Sequence, residues 1–291
     1  MDKLTVKAYG KLNLYLDITG KREDGYHLLR TVMQSVSVFD TLKFEISEGS
    51  GIELVCDNSD FPLDSSNLIC KAADLFFSEM NISPRGKLTV TVDKQIPAMA
   101  GMAGGSADGA AALTALNELY GFPLDSKNLL KLAPKLGADV AFTMVGGTML
   151  CEGIGDQMTK FKDVKDICFA VVRPDTRIST PAAYKAYDSA PPMRKKSFAA
   201  FSQALKLDDS QKLADSMFNA LEAAVKDPDV AAVKEKLIAG GALGALMTGS
   251  GSAVFGVFEN KTEARLLIDI MKEYPFAQVL EPVPHGLEIM R

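Results

Sequence analysis

The stretch Pro97-Ala-Met-Ala-Gly-Met-Ala-Gly-Gly-Ser-Ala-Asp-Gly-Ala-Ala-Ala-Leu113 joins a run of small residues to an alanine-rich segment. It follows residues 87–92, whose alternation of apolar and polar side chains predicts a strand. Its glycines permit backbone conformations that are closed to larger residues, and they let a ligand approach closely. We expect Ser106 to cap a helix over residues 107–120 that ends at Gly121.

The start of such a helix can bind an anion, because its free N–H groups and the positive end of its dipole favour negative charge. Phosphate is the ligand that this arrangement suits best. The same residues also fit a tight turn that packs a small-residue helix onto a sheet. The rest of the chain must distinguish the two interpretations.

Length and composition describe an ordinary globular protein. The 291 residues are 47% hydrophobic and 24% charged, which is enough for a large core and favours two domains. We place the domains at residues 1–155 and 156–291, because residues 153–165 are largely polar and contain two glycines. The net charge of −5 provides no basic field for nucleic acid or an acidic membrane, so we expect neither partner.

The cysteines and histidines argue against a protein-held metal. The four cysteines contain no Cys-x-x-Cys pair and are expected to be free thiols, and there are only two histidines. Any metal would arrive with a nucleotide. The first ten residues lack a signal-peptide pattern and no apolar run is long enough to span a bilayer, so we expect a cytoplasmic protein.

Strand and helix patterns alternate along the chain and predict an α+β fold. In the first half, the predicted strands are 4–7, 12–18, 34–39, 41–47, 51–55, 87–92 and 148–152, and the predicted helices are 67–80, 107–120 and 126–136, the last capped by Ser126. In the second half, we predict strands 167–172, 253–258 and 277–280 and helices 181–187, 197–205, 210–225, 229–239 and 262–272. The sequence alone leaves the strand pairing open.

The common nucleotide-binding motifs are absent. Each Gly-Lys pair is followed by the wrong residue for Gly-x-x-x-x-Gly-Lys-Ser/Thr, and the loop lacks the second glycine of the dinucleotide fingerprint. Protein-kinase landmarks are missing as well. A phosphate site in this chain therefore belongs to another class.

Five segments together identify a resemblance: Lys11-Leu-Asn-Leu14, Lys21-Arg-Glu-Asp-Gly-Tyr-His27, Ala100-Gly-Met-Ala-Gly-Gly-Ser106, Gly137-Ala-Asp-Val140 and Ser250-Gly-Ser252. From end to end, the chain resembles the superfamily of galactokinase, homoserine kinase, mevalonate kinase and phosphomevalonate kinase (GHMP kinases). Its Asp-Gly-Tyr-His block is similar to that of the superfamily members in the non-mevalonate isoprenoid pathway. The resemblance implies an N-terminal domain like ribosomal protein S5, a C-terminal ferredoxin-like α/β sandwich, and an active site between the two halves.

The resemblance also implies the chemistry, which is phosphoryl transfer from ATP to an alcohol. Asp139 would take the proton from the substrate hydroxyl, and Lys11 would orient that hydroxyl and stabilise charge. The residues implied in ATP binding are Lys94, Pro97, Ala98, Met99, Ala100, Gly101, Met102, Ala103, Gly104, Gly105, Ser106, Ala107 and Asp108. Mg²⁺ would come with the nucleotide, and Asp108 would either point aside or meet that ion.

For a substrate with a cytidine diphosphate moiety, Tyr26 can stack on the base and His27 can hydrogen-bond its edge. The other implied substrate contacts are Asn13, Asn67, Thr180, Tyr184, Gly249, Ser250 and Gly251, with Tyr184 equally interpretable as a core residue. We expect a monomer or a weak homodimer.

The chain also departs from the superfamily pattern. Met102 replaces the usual leucine of the loop, Ala107 replaces its second serine, and Ala141 and Ser252 stand where proline is common. Ala107 removes a hydroxyl that could hold metal. Another small-molecule kinase of the same superfamily and a non-catalytic nucleotide-binding protein therefore remain as alternatives.

Overall fold

A computed structural model describes residues 2–290, which form twelve strands and eleven helices. The strands are β1 Lys3–Lys21, β2 His27–Ser47, β3 Ile52–Val55, β4 Lys87–Asp93, β5 Thr148–Gly153, β6 Gln157–Lys160, β7 Cys168–Arg173, β8 Phe218–Asn219, β9 Gly244–Met247, β10 Val254–Phe258, β11 Phe276–Leu280 and β12 Leu287–Met290. The helices are α1 Leu68–Met80, α2 Gly104–Leu119, α3 Ser126–Leu130, α4 Ala133–Leu136, α5 Ala138–Val145, α6 Thr180–Ser189, α7 Phe198–Lys206, α8 Ser210–Ser216, α9 Ala220–Val225, α10 Pro228–Ala239 and α11 Lys261–Asp269.

The larger sheet has eight strands and is built around the long antiparallel pair β1 and β2. Its main path runs β12-β1-β2-β4-β3, and β5 continues from the far half of β2 with β6 at its edge. The buried helix α2 packs against β1 and α1, and its alanines let the backbones approach closely. Lys11 and Asn13 lie in β1 at the part of the strand that faces the start of α2.

The second sheet has four antiparallel strands in the order β11-β7-β10-β9. Every residue of β7 and β10 is buried, as expected for central strands that helices cover. Helix α10 packs on β9 and β10, and α11 packs on β7 and β11. Mixed helices and strands in two sheets confirm the predicted α+β class.

The predicted cap of the glycine-rich helix is wrong. Helix α2 begins at Gly104, its N-cap is Ala103 in the left-handed conformation, and no side chain caps it. Ser106 therefore lies inside the first turn, because the loop backbone rather than a hydroxyl sets the helix start. Ser126 is likewise not a cap: it is the first residue of α3, and Asp125 accepts the bond from the Asn128 N–H.

Several predicted elements have different limits. The predicted strands 4–7 and 12–18 are one strand, as are 34–39 and 41–47, because antiparallel pairing continues across the residues between them. The predicted helix 126–136 is two short helices, and the predicted helix 210–225 is broken at Met217. There Asn219 caps α9 and donates to the carbonyls of Met247 and Gly249, which pulls the chain into a short strand. Strands β6, β8, β9 and β12 and helix α5 have no counterpart among the predicted elements.

Both ends of the chain contribute to the larger sheet. Strand β12 pairs with β1, and β8 also joins β1, while β6 follows residue 155 and pairs with β5. The boundary at residues 155 and 156 stays a prediction. Within residues 2–290, no helix is long and apolar enough to cross a membrane.

Candidate active site

A cleft of about 570 Å³ opens beside the start of α2. Its walls come from the glycine-rich loop, the turn at residues 249–251, the beginnings of α5 and α6, and the segment before α1. These elements are far apart in the chain, so the cleft exists only in the folded protein.

Backbone hydrogen bonds join the glycine-rich loop to the residues that follow the turn at residues 249–251. The Ala253 N–H donates to the Ala100 carbonyl at 3.2 Å, and the Ser252 N–H donates to the Met99 carbonyl at 3.3 Å. Gly101 has a φ of +72°, and a Cβ placed on it would lie 2.1 Å from the Thr248 carbonyl oxygen. Glycine is thus required at 101 by both conformation and contact.

The first turn of α2 faces the cleft. Gly104, Gly105 and Ser106 line it, and the first N–H groups of a helix have no partner within the helix. This is an anion-binding arrangement. Of the residues expected to bind ATP, Pro97–Gly101, Ala103–Ser106, Lys94 and Asp108 line the cleft. Met102 and Ala107 do not: both are buried in the core beneath the loop, so a serine at 107 would point away from the cleft.

Lys11 and Asp139 meet in this cleft. The Lys11 side chain is only 4% exposed, and its ammonium donates to Asn13 Oδ1 at 2.5 Å and to the Gly101 carbonyl at 2.8 Å. The nearer carboxylate oxygen of Asp139 lies 3.6 Å from the Lys11 Nζ, and its side chain is 37% exposed. Asp139 stands in the first turn of α5, which begins after Gly137. The buried Lys11 ammonium and the accessible Asp139 carboxylate therefore face the same part of the cleft.

A hydrogen-bond network holds Asn13. Its amide donates to Thr31 Oγ1 at 2.8 Å, and its backbone N–H donates to Thr248 Oγ1 at 2.9 Å. These two hydrogen bonds orient Asn13 so that its side-chain Oδ1 faces the Lys11 ammonium. Asn67 also lines the cleft, but it caps α1 and donates to the Pro62 carbonyl at 2.7 Å, so its polar atoms already have partners.

Residues of α6 form the opposite wall. Thr180 Oγ1 lies 3.0 Å from Ser250 Oγ, which ties α6 to the turn at residues 249–251. The half-buried Tyr184 lines the cleft and stacks on His27 with ring centroids 4.8 Å apart. Burial, with a smaller contribution from the charge of Asp139, raises the pKa of Tyr184 to about 12, so its hydroxyl stays protonated.

Tyr26 and His27 do not line the cleft in this conformation. Tyr26 is 63% exposed at the hairpin between β1 and β2. His27 Nε2 lies 2.7 Å from Asp188 Oδ1, and Lys21 Nζ lies 2.6 Å from the same carboxylate. Hydrogen bonds from Lys21 and then His27 lower the pKa of Asp188. His27 thus reaches the cleft only through the stacked Tyr184 ring.

A buried charge cluster supports the glycine-rich loop. Lys94 Nζ lies 2.5 Å from Asp40 Oδ2 and 2.9 Å from Asp108 Oδ2, and all three side chains are at most 8% exposed. Asp40 Oδ1 accepts the N–H groups of Gln95 and Ile96, so the cluster joins the chain before the loop to the helix after it. Burial lowers the pKa of Lys94, but the charges of Asp108 and Asp40 outweigh it and raise that pKa.

Replacing Lys94 with Met is expected to destabilise the protein by about 3–5 kcal/mol, because two buried carboxylates lose their cation. Denaturant unfolding of the wild type and the variant measures the change. Lys236→Met is the control: the Lys236 ammonium is exposed and contacts Glu273 and the Tyr274 hydroxyl, so the stability of this variant should stay close to that of the wild type. Equal stability of the two variants would contradict a structural role for the cluster.

Sequence reasoning missed Asp40, Asp188 and Thr248. Each acts through a partner that is distant in the chain, and no local motif marks it. The sequence gives no usable signal for Asp40, because it falls between the predicted strands 34–39 and 41–47, where an acidic residue is ordinary.

The residues of the cleft do not form a metal site by themselves. Among residues 2–290, no group of three or more His, Cys, Asp or Glu side chains is placed to hold a metal ion. Asp108 is bound to Lys94, and Ala107 offers no oxygen. The side chains of the cleft therefore do not fit a protein-held Mg²⁺ ion.

Family matches and superpositions on solved structures agree with the observed fold. Residues 67–147 match the GHMP kinases N terminal domain, and residues 191–276 match the GHMP kinases C terminal domain. A homoserine kinase from Cytophaga hutchinsonii has the same fold, with a TM-score of 0.78 at 18% identity over 100% of this chain and 98% of that one. The chain belongs to the GHMP kinases, and the two-domain fold expected from the resemblance is confirmed.

Its more similar relatives define a narrower group. A protein of Clostridium kluyveri named 4-diphosphocytidyl-2-C-methyl-D-erythritol kinase is 39% identical over 92% of this chain and 96% of its own length. The relative of that name from Caldicellulosiruptor saccharolyticus is 37% identical over 93% of both. A crystal structure of 4-(cytidine 5'-diphospho)-2C-methyl-D-erythritol kinase superposes with a TM-score of 0.79 at 30% identity over 96% of this chain and all of that one. The chain is a member of this kinase family.

Proposed function

We propose that the protein transfers the γ-phosphoryl group of ATP to the 2-hydroxyl of 4-diphosphocytidyl-2-C-methyl-D-erythritol and releases ADP. The observation that carries the proposal is the pairing of Lys11 with Asp139 opposite the first turn of α2, in a member of this kinase family. The reaction belongs to the non-mevalonate route to isoprenoid precursors.

The nucleotide phosphates bind at the glycine-rich loop. The N–H groups of Gly104, Gly105 and Ser106 and the dipole of the 16-residue α2 hold the negative charge. Mg²⁺ would come with the nucleotide and would neutralise part of the phosphate charge, and no residue of this chain is assigned to hold it. The chain contributes position and electrostatic stabilisation, which is what this reaction requires.

Asp139 accepts the proton of the substrate hydroxyl as the oxygen attacks phosphorus. Its carboxylate is accessible, whereas the Lys11 ammonium is buried and held by Asn13 and Gly101. A cation fixed in this way stabilises the charge on the transferring group without having to reorganise. Because the Asp139 carboxylate lies next to a positive charge, it contributes to the reaction through its placement and by accepting the proton late in the transfer.

The cytidine end lies toward Tyr184, Thr180 and the turn at residues 249–251. Tyr184 offers a ring face to the base, and His27 behind it is held by Asp188. Tyr26 is at an exposed hairpin, from which it can fold over the base when substrate binds. We also propose a cytoplasmic location and a monomer or weak homodimer without nucleic acid; four free thiols favour a reducing compartment.

A coupled assay of ADP release tests the substrate. We expect turnover with 4-diphosphocytidyl-2-C-methyl-D-erythritol and a kcat/KM at least about 10⁴-fold lower with mevalonate or homoserine, which leave the base-binding groups unpaired. Preference for either of those alcohols would assign the chain to another branch of the GHMP kinases. Calorimetric binding of ATP without turnover of any alcohol would support a non-catalytic nucleotide-binding protein instead.

A further inference from the structure

The cluster of Asp40, Lys94 and Asp108 contains more negative than positive charge. The carboxyl groups of Asp40 and Asp108 share the ammonium of Lys94. The side chains of Asp40, Lys94 and Asp108 are 0%, 8% and 1% exposed, respectively. A buried unpaired charge is costly, so such a cluster favours one protonated carboxyl group. Its position next to Gly104 makes this relevant to the ligand: a Cβ on Gly104 would lie 3.1 Å from the Lys94 Nζ.

A second observation separates Asp108 from Asp40. Asp40 uses both oxygens, one toward Lys94 and the other toward the N–H groups of Gln95 and Ile96. Asp108 uses only Oδ2, and its buried Oδ1 has no hydrogen-bond partner. A carboxyl group with an unsatisfied buried oxygen is the one that most easily accepts a proton.

We propose that Asp40 and Asp108 are positioning residues for ATP: they hold the Lys94 ammonium at the first turn of α2, and Asp108 takes up one proton from solvent when the phosphates bind there. Protonated Asp108 no longer repels the phosphates, and the positive charge of Lys94 is then balanced by Asp40 alone. The inference rests on the proposed ATP site and concerns how this chain makes that site neutral enough for a polyanion.

The surroundings support the same direction of titration. Burial raises the pKa of Asp108 to about 7; Lys94 opposes this rise, and Asp40 adds to it. Cys56, after β3, also faces the cluster; burial raises the pKa of its thiol, so it carries no charge near neutral pH. An approaching phosphate raises the pKa of Asp108 further. Protonation and ATP binding therefore favour each other.

The sign of the pH dependence follows from this linkage. Below the pKa of free Asp108 the proton is already present, and ATP binds without further uptake. As pH rises above about 7, binding must bring the proton in, and affinity falls by up to tenfold per pH unit until the pKa of the complex is reached. Asp108→Asn fixes the group in a neutral state, so its affinity should not depend on pH in this way.

Isothermal titration of MgATP into the protein, in buffers of different ionisation enthalpy, measures the proton uptake. At pH about 8 we expect the wild type to take up close to one proton more than Asp108→Asn, and its Kd to rise at least about threefold from pH 6.5 to 8.5 while that of the variant changes less than about twofold. The nucleotide's own protonation is the same in both titrations and cancels. Glu273→Gln, a remote exposed carboxylate paired with Lys236, should behave as the wild type.

The alternative outcomes are distinct. Equal proton uptake by wild type and Asp108→Asn would overturn the inference while leaving ATP binding intact. Failure of the wild type to bind MgATP would overturn the proposed function as well. If Asp108→Asn does not fold, as judged by circular dichroism, Asp40→Asn serves instead, because it also leaves one carboxylate per ammonium and keeps an oxygen for the N–H groups of Gln95 and Ile96. Asp40→Asn must likewise show no extra proton uptake when MgATP binds.

Discussion

Replacing Asp139 with Asn is expected to lower kcat by about 10²–10⁴-fold, because an amide cannot accept the proton of the attacking hydroxyl. The amide has the same size and remains at the start of α5, so the Kd for ATP should change less than about threefold. Steady-state ADP release gives kcat, and calorimetric titration gives the Kd.

The matched control for that substitution is Asp163→Asn, which neutralises an exposed carboxylate with a loose 4.0 Å contact to Lys160 outside the cleft. Its kcat should equal that of the wild type. If Asp139→Asn also retained wild-type turnover, the base would have to be another group, and the assignment of Asp139 would be wrong.

Replacing Lys11 with Met should lower kcat by about 10²–10³-fold, since it removes a preorganised cation from the point where charge develops on the transferring group. Methionine has a similar length and suits the 4% exposure of this side chain. The Asn13 Oδ1 and the Gly101 carbonyl lose their donor, which is expected to cost about 1–3 kcal/mol of stability.

Two measurements separate these effects of Lys11→Met. Denaturant unfolding gives the fraction of folded variant at the assay temperature, and kcat is then expressed per folded molecule. Lys7→Met is the control, because Lys7 lies in the same strand and its ion pair with Glu288 is outside the cleft. A loss of activity that disappears after the correction would assign Lys11 a structural role alone.

Much of the architecture follows from local patterns. The alternation at residues 87–92 predicts a strand, and the structure has β4 at Lys87–Asp93. Apolar spacing predicts a helix over 67–80, and the structure has α1 at Leu68–Met80, with Asn67 as its cap rather than its first residue. The predictions are wrong where contacts between residues distant in the chain determine the local structure. The helix predicted over 210–225 is broken because Asn219 binds the carbonyls of Met247 and Gly249, and no window of sequence contains both.

The same division applies to the site. The glycine-rich stretch, Lys11 and Asp139 stand in motifs, and the structure brings them to one cleft. Asp40 and Asp188 stand in no motif, and they are linked to Lys94 and His27 by contacts across 54 and 161 residues of chain. Tyr26 is the opposite case. It stands in a recognisable motif, but in the structure its ring is exposed at a hairpin and does not line the cleft.

The stretch from Pro97 to Leu113 by itself determined that a glycine-rich turn leads into a small-residue helix, because the conformational freedom of glycine and the helix propensity of alanine are local properties. Only the tertiary structure decided where that helix begins, which residues of the loop face the cleft, and that Ala107 is a core residue. The reason is physical: Gly101 is held against Thr248, and Asp108 is bound to Lys94, through contacts that exist only when distant segments pack together.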